Sequence, residues 1–172
     1  MQAPQAPARA SDYDLSRLLP SLPDSSFEQP DESRLAGWRS LIARGYRAVP
    51  EDRRPYRGRH SLFLGYFARN GSDRGSSLTF YAPLDPRRYR GRRIRVSVAA
   101  RPEHYADGRA HLIVRAVAPG GDLEARQAFT GEQWRRYQVE LNVPRDARAI
   151  VVAVNTDAGV TIEDFRIDPI RR

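Results

Sequence analysis

Arg93-Ile94-Arg95-Val96-Ser97-Val98-Ala99-Ala100 alternates side-chain character along almost its whole length. Successive side chains of an extended chain point to opposite faces, so Ile94, Val96, Val98 and Ala100 share a buried face while Arg93, Arg95 and Ser97 face water. Downstream, Tyr137, Val139, Leu141 and Val143 alternate with Arg136, Gln138, Glu140 and Asn142, and Pro144 ends that strand by removing a donor. Further strands are expected at 59–67, 76–82, 110–117, 149–155 and 159–167, with weaker ones at 37–48 and 124–129. Gly71, Gly75, Pro83, Pro86, Gly91, Gly108 and Gly120-Gly121 punctuate them, and neither a long helical period nor an internal repeat is present. The expected class is all-β, and uneven loop lengths favour a two-sheet antiparallel β-sandwich over a barrel.

Two motifs bracket the domain. Ser25-Ser26-Phe27-Glu28, followed by Gly37-Trp38, stands near the start, and Gly159-Val160-Thr161-Ile162-Glu163-Asp164-Phe165 stands near the end. A closed jelly roll brings its first and last strands side by side, which would put an acidic residue from each terminus at one edge. Residues 25–172 are expected to form the sandwich, and residues 1–24 a flexible N-terminal segment and strap. Residues 1 to about 11 contain almost nothing to offset ordering entropy. Residues 12–24 offer one helical turn, started by Asp12 or Asp14 and stopped by Pro20, that packs Leu15, Leu18 and Leu19 against the domain.

A chain of 172 residues can bury a core without staples, and the absence of cysteine excludes disulfides, thiolate metal sites and cysteine nucleophiles. The net charge of +8 invites a nucleic-acid reading, yet all 29 basic residues are arginine and they are dispersed. A chain without lysine points to coding bias rather than to selection for phosphate contact, which argues against nucleic acid as the partner. Arg clusters with Tyr and Gly at 53–59 and 87–93 could bind carboxylates or phosphates of an acidic polysaccharide or lipid headgroup, or serve as solvated loops. No apolar run reaches the roughly 20 residues of a membrane span. The Ala/Pro/Gln texture of residues 2–10 is like the tether after a cleaved signal or anchor, so the expected compartment is periplasmic or extracellular, with a cytoplasmic one left open.

Phe27-Glu28, Gly37-Trp38, Gly58-Arg59-His60-Ser61-Leu62, Tyr89 to Ser97, Trp134, Val143-Pro144-Arg145-Asp146-Ala147 and Ile162-Glu163-Asp164-Phe165 stand in an order that resembles the bacterial galactose-binding-like jelly rolls, many of them carbohydrate-binding modules. The resemblance spans about residues 25–168. It implies a structural calcium held between the first and last strands, and the matching residues are Glu28 and Asp164. Calcium takes six to eight hard oxygens, so carbonyls and water would complete the shell. The alternative is that both acids pair with Arg34, Arg39 or Arg166.

Sugar recognition requires aromatic faces for stacking and a few polar groups for orientation. Tyr46, Tyr56, Tyr66, Tyr81, Tyr89 and Tyr105 are the candidates, with Arg69 and Asn70 as polar neighbours, whereas Trp38 and Trp134 are expected in the core or at its rim. His60, His104 and His111 lack metal-ligand spacing, and no Gly-x-Ser-x-Gly elbow is present. The expected function is a non-catalytic module that binds a glycan or acidic polysaccharide at the bacterial envelope through loops and a concave sheet face. The alternative is a protein-docking or scaffold domain of an envelope assembly, and a third reading is a fragment whose catalytic domain lies elsewhere.

Overall fold

A computed structural model of the chain describes residues 9–28, 35–42, 45–67, 77–103 and 109–171. Ten strands follow one another: β1 (Arg39–Ile42), β2 (Tyr46–Glu51), β3 (Ser61–Tyr66), β4 (Leu78–Leu84), β5 (Arg93–Pro102), β6 (Ala110–Val117), β7 (Leu123–Ala128), β8 (Arg135–Asn142), β9 (Ala149–Thr156) and β10 (Val160–Pro169). They form two five-stranded sheets, ordered β1-β4-β9-β6-β7 and β2-β3-β10-β5-β8, and every strand pairing is antiparallel. The two-sheet antiparallel sandwich expected from the sequence is the fold. Among the described residues no helix is long and apolar enough to cross a membrane.

The alternation in β5 does its expected work on one face, since Ile94, Val96, Val98 and Ala100 are all fully buried between the sheets. Ser97 departs from expectation. It is buried on the opposite face because Arg136 lies over it and donates from Nη1 to its Oγ at 3.0 Å. The stretch 37–48, expected as one strand, is divided instead: β1 joins the first sheet and β2 the second, with Gly45 at φ +88° between them. Only a residue without Cβ adopts that backbone freely, so the glycine marks where the chain changes sheet.

Trp38 anchors the core at one end. Its ring stacks on Phe80 at 4.8 Å and lies 4.6 Å from Phe165, and its indole nitrogen donates to Asp24 O at 2.9 Å. Phe27 packs edge-on against Phe80 at 6.2 Å. The two chain ends therefore meet through their aromatic residues. They also meet through the backbone, because β10 carries a bulge between Glu163 and Arg166, with Asp164 at φ +56°. A bulge leaves ladder donors unpaired. Asp164 N donates to Ser25 O at 2.8 Å and Phe165 N to Ser25 Oγ at 2.9 Å, so the N-terminal motif fills the gap.

The N-terminal strap crosses the outer face of the first sheet. Its helical turn is a 3-10 turn at Ala10–Asp12, earlier than the expected turn begun at Asp12 or Asp14, and extended chain follows it. Tyr13 packs edge-on against Tyr81 at 4.9 Å, Leu15 joins the same outer cluster, and Leu19 packs against the main core. Leu19 N donates to Pro83 O and Asp85 N to Leu19 O, both at 2.8 Å, which adds a short parallel bridge beside β4. The expected disorder of residues 1–8 lies outside the described residues.

Candidate functional site

The outward face of the second sheet carries charged side chains that the inward face excludes, and aromatic side chains stand on both. Register fixes who stands beside whom. Val49 is opposite Phe63, Phe63 opposite Thr161, and Thr161 opposite Arg101, so these four form one row across β2, β3, β10 and β5. Continuing the β5–β8 register by one position sets Trp134 at the end of that row, and the Arg101 guanidinium lies 5.9 Å from the Trp134 ring centre. Glu51, Ser61, Glu163, Ala99 and Arg136 make the next row.

Phe63 is held flat by an absence. A Cβ built on Gly65 would lie 2.5 Å from the Cε1 and Cζ atoms of Phe63, so the ring rests where a side chain would otherwise stand. Phe67 meets Phe63 edge-on at 5.6 Å and is 45% exposed, an aromatic pair at one end of the row. At the other end Trp134 faces Tyr56 at 5.4 Å, and its indole N–H donates to Arg54 O at 2.7 Å. Arg57 and Arg136 lie 5.5 and 5.8 Å from the Tyr56 ring centre. Cations over aromatic faces hold both in a fixed arrangement.

Between the aromatic ends stand Glu51 and Arg101. The Arg101 Nη2 to Glu51 Oε1 distance is 3.7 Å, and the Thr161 hydroxyl lies 3.5 Å from Glu51 Oε2. Burial pushes the Glu51 carboxyl up, Arg101 opposes the shift and Glu103 adds to it, and the net direction is upward. Arg101 Nε is buried and has no hydrogen-bond partner among the described residues. Buried donors without partners are rare, and such a group is costly unless something fills it.

The loop that carries Tyr56 is fastened by two carboxylates, one from each end of the chain. Glu163, only 2% exposed, accepts from Tyr56 N at 3.0 Å, from Arg57 N at 3.2 Å and from Ser61 Oγ at 2.8 Å. Glu28 accepts from Arg59 N at 2.9 Å. Gly58, at φ +66°, permits this approach, because any Cβ there would collide with the Glu28 carboxylate. Burial raises the Glu163 carboxyl above its ordinary value, the hydrogen bonds from Ser61, Arg57 and Tyr56 pull it down, and nearby Glu28 raises it.

Glu28 and Asp164, the acids implied as calcium ligands, are used otherwise. Asp164 Oδ2 is paired with Arg136 Nη2 at 2.5 Å and Arg166 Nη2 at 2.7 Å. Burial pushes the Asp164 carboxyl up, and hydrogen bonds and charge from Arg166 and Arg136 outweigh it, holding the group below the usual range. A divalent cation on that oxygen would face two guanidinium groups, and Glu28 already accepts backbone donors. Among the described residues no group of three or more His, Asp or Glu side chains is placed to hold a metal ion. Glu28 therefore meets the Arg59 amide, and Asp164 meets two guanidinium groups.

Tyr56 is the expected ligand-contacting residue that lies on this face. Tyr46 and Tyr81 are 3% and 2% exposed and have no face left for a ligand. Tyr46 donates from its hydroxyl to Asp157 O at 3.0 Å, and Tyr81 accepts from Asp14 N at 3.0 Å beneath the strap. Tyr66 packs edge-on against Tyr46 at 5.3 Å, and Tyr89 packs half-buried against the core. Arg69, Asn70 and Tyr105 lie outside the described residues. Phe63, Arg101 and Glu51 were missed, although one signal was readable. In Ser61-Leu62-Phe63-Leu64-Gly65 the phenylalanine shares its face with serine and glycine, opposite two leucines.

No protein-family model matches the sequence, and no curated protein is similar to it. Solved structures share the fold. The C-terminal family 22 carbohydrate binding module of Clostridium thermocellum Xyn10B superimposes with a TM-score of 0.60 at 18% identity, covering 84% of this chain and 91% of that one. TmCBM61, solved in complex with beta-1,4-galactotriose, gives 0.51 at 12% identity, covering 85% and 99%. The enzymatically active domain of Bacteriophage CBA120 tailspike protein 4 gives 0.60 at 14% identity, with 86% of this chain but only 20% of that one covered. The fold is that of the carbohydrate-binding jelly rolls.

Proposed function

We propose that the protein is a non-catalytic carbohydrate-binding module that takes a neutral glycan across the outward face of the second sheet, between Phe63 and Trp134. One observation carries the proposal: two aromatic side chains three strands apart in one row, with Arg101 between them and the Glu51 carboxylate reaching in from the next row, the Arg101 Nε being without a partner among the described residues. Phe63 and Trp134 stand three strand positions apart, about 14 Å at the usual inter-strand spacing, a span for an oligosaccharide rather than a single ring. Stacking on the rings supplies apolar contact, and the two charged groups sort hydroxyls. Glu51 accepts from a sugar hydroxyl, and Arg101 donates to its neighbour. Because Glu51 and Arg101 offset one another, the row itself favours no ligand charge.

The hydrogen bonding of Glu163 supports a binding role. Glycoside hydrolysis needs two carboxylates that reach the bond, and Glu163, the acid one row from Arg101, is enclosed by three donors. The four-fifths of the tailspike chain beyond the shared fold leave its activity a property of that protein. An exported or envelope setting, where such glycans are met, accompanies the proposal.

Affinity electrophoresis in gels containing neutral polysaccharides such as xylan, galactan or mixed-linkage glucan provides the test. Retardation by at least one of them is expected. Trp134→Ala and Phe63→Ala should each weaken it about 30-fold, the loss of an aromatic contact worth about 2 kcal/mol. Both variants should keep the wild-type circular-dichroism spectrum. Retardation unchanged in both variants, or by none of the polysaccharides, would overturn the assignment. Co-purification of a single protein partner in that second case would favour a docking role for the same face.

A further inference from the structure

The glycan face does not use the arginine excess. Much of it gathers at one pole of the sandwich, where the loop between β4 and β5, the loop between β8 and β9, and the segment after β10 converge. The first loop and the start of β5 supply Arg87, Arg88, Arg90, Arg92 and Arg93. The other two elements add Arg145, Arg148 and Arg171. Along β5, Arg93 stands eight residues from Arg101, roughly 26 Å at the rise of a strand, so the pole is separate from the row described above.

A cleft of about 860 Å³ opens at this pole, lined by Arg92, Arg93, Arg171, Asn142 and the apolar Val143 and Ile170. Among the described residues no acidic side chain lines it. Its walls are tied together by backbone hydrogen bonds from Gly91 N to Val143 O and Val143 N to Arg92 O, both at 2.9 Å, and from Ile170 N to Arg93 O at 2.8 Å. The cations are thus carried on a hydrogen-bonded frame rather than on a loose tail. Arg93 is engaged with Glu140 at 2.5 Å. Arg92 and Arg171 have no carboxylate partner among the described residues, and Asp85, the acid in the first loop, is taken by Arg87 at 2.6 Å.

The geometry points to a second binding site, an anion cleft that takes the carboxylate or sulfate groups of an acidic polysaccharide on the Arg92 and Arg171 guanidiniums. Guanidinium forks match both oxyanions bidentately, and Asn142 with the apolar wall gives the sugar ring a surface beside them. Single-stranded nucleic acid is disfavoured because, among the described residues, no aromatic ring lines the cleft for bases to stack on. An anionic lipid surface is disfavoured by the concave placement of the cations, since a flat charged surface engages convex ones. The site requires nothing of the glycan face, so each stands or falls alone.

Heparin and polygalacturonate are the probes, with the intact chain and the Arg92→Ser/Arg171→Ser double variant measured by isothermal titration. An Arg17→Ser/Arg126→Ser variant controls for net charge, since it removes the same two charges from the exposed strap and β7, away from both sites. Binding of at least one probe is expected, weakened about tenfold or more in the cleft variant and about twofold or less in the control. Raising NaCl from 50 to 300 mM should weaken it further, because the Debye length contracts from roughly 14 to 6 Å. Retardation by a neutral polysaccharide should be the same in all three proteins. Equal losses in the cleft variant and the control would reduce the effect to bulk charge and overturn the site. So would binding to neither probe, and so would binding to phosphatidylglycerol vesicles alone.

Discussion

Replacing Glu163 separates the anchoring of the Tyr56 loop from the cost of burying a charge. In Glu163→Ala, Ser61 Oγ loses its acceptor inside a fully buried residue, while the Tyr56 and Arg57 amides belong to a loop that can turn toward water. One buried hydroxyl and two partly recoverable amides amount to about 2–4 kcal/mol. For a chain of this length that is a fall in Tm of roughly 4–16 °C. Glu163→Gln keeps an acceptor oxygen and removes the charge, so its loss should stay below about 1 kcal/mol at neutral pH. The two variants also differ in pH dependence. The folded-state carboxyl titrates above the ordinary glutamate value of 4.5, so between that value and the folded one the native protein holds a proton that the unfolded chain has released. Stability from this group is therefore complete below pH 4.5 and is lost as pH rises through the folded pKa. Urea denaturation of wild type and Glu163→Gln at half-unit steps from pH 4 to pH 8 gives the difference curve. The wild type should lose ground to the variant as pH rises. A flat curve, or one of opposite slope, would refute the claim that burial governs this carboxylate.

Gly65→Ala should displace the Phe63 ring with little change in stability, since the contact is with the far end of a movable side chain; neutral-glycan binding should fall about tenfold while thermal melting moves by a few degrees at most. Trp38→Ala removes the ring that touches Phe80, Phe165 and Phe27, and should cost about 3–5 kcal/mol by chemical denaturation. Asp164→Asn should show the reverse pH behaviour to Glu163. The folded carboxyl lies below its usual range, so its contribution is present above the unfolded pKa and disappears as pH falls through the folded one. Stability measured at pH 7 and pH 3 should therefore differ less in Asp164→Asn than in the wild type.

Strand periodicity reported faces faithfully wherever a strand had a single partner surface. The buried face of β5 is an instance, because a one-residue slip would turn every apolar side chain outward. Ser97 escaped because its covering comes from Arg136, which the register of another strand delivers, and no local pattern encodes that. The acids of Glu163-Asp164 show the same limit more sharply. Alternation assigns neighbours to opposite faces, but the bulge alters that phase at this point and depends on the pairing of β10 with β5, between 64 and 69 positions away in sequence. The sequence therefore points to an acid from each chain end without showing that Glu163 and Glu28 grip backbone amides. The tyrosines misled for a different reason. An aromatic side chain fills a sandwich core as readily as it stacks on a sugar, and only its partners distinguish the two. Phe63 was passed over although glycine shares its face, a combination with little use in a packed interior.

The short bridge formed by Leu19 lies beyond the end of β1, over the part of β4 that β1 does not reach. A chain cut after Pro20 would leave Pro83 O and Asp85 N open on that border, beside an uncovered Tyr81. An open border with an apolar flank recruits strands from other molecules. Shortened versions prepared for crystallisation or display should retain residues 13–20, or else carry a charged substitution on β4 to discourage self-association.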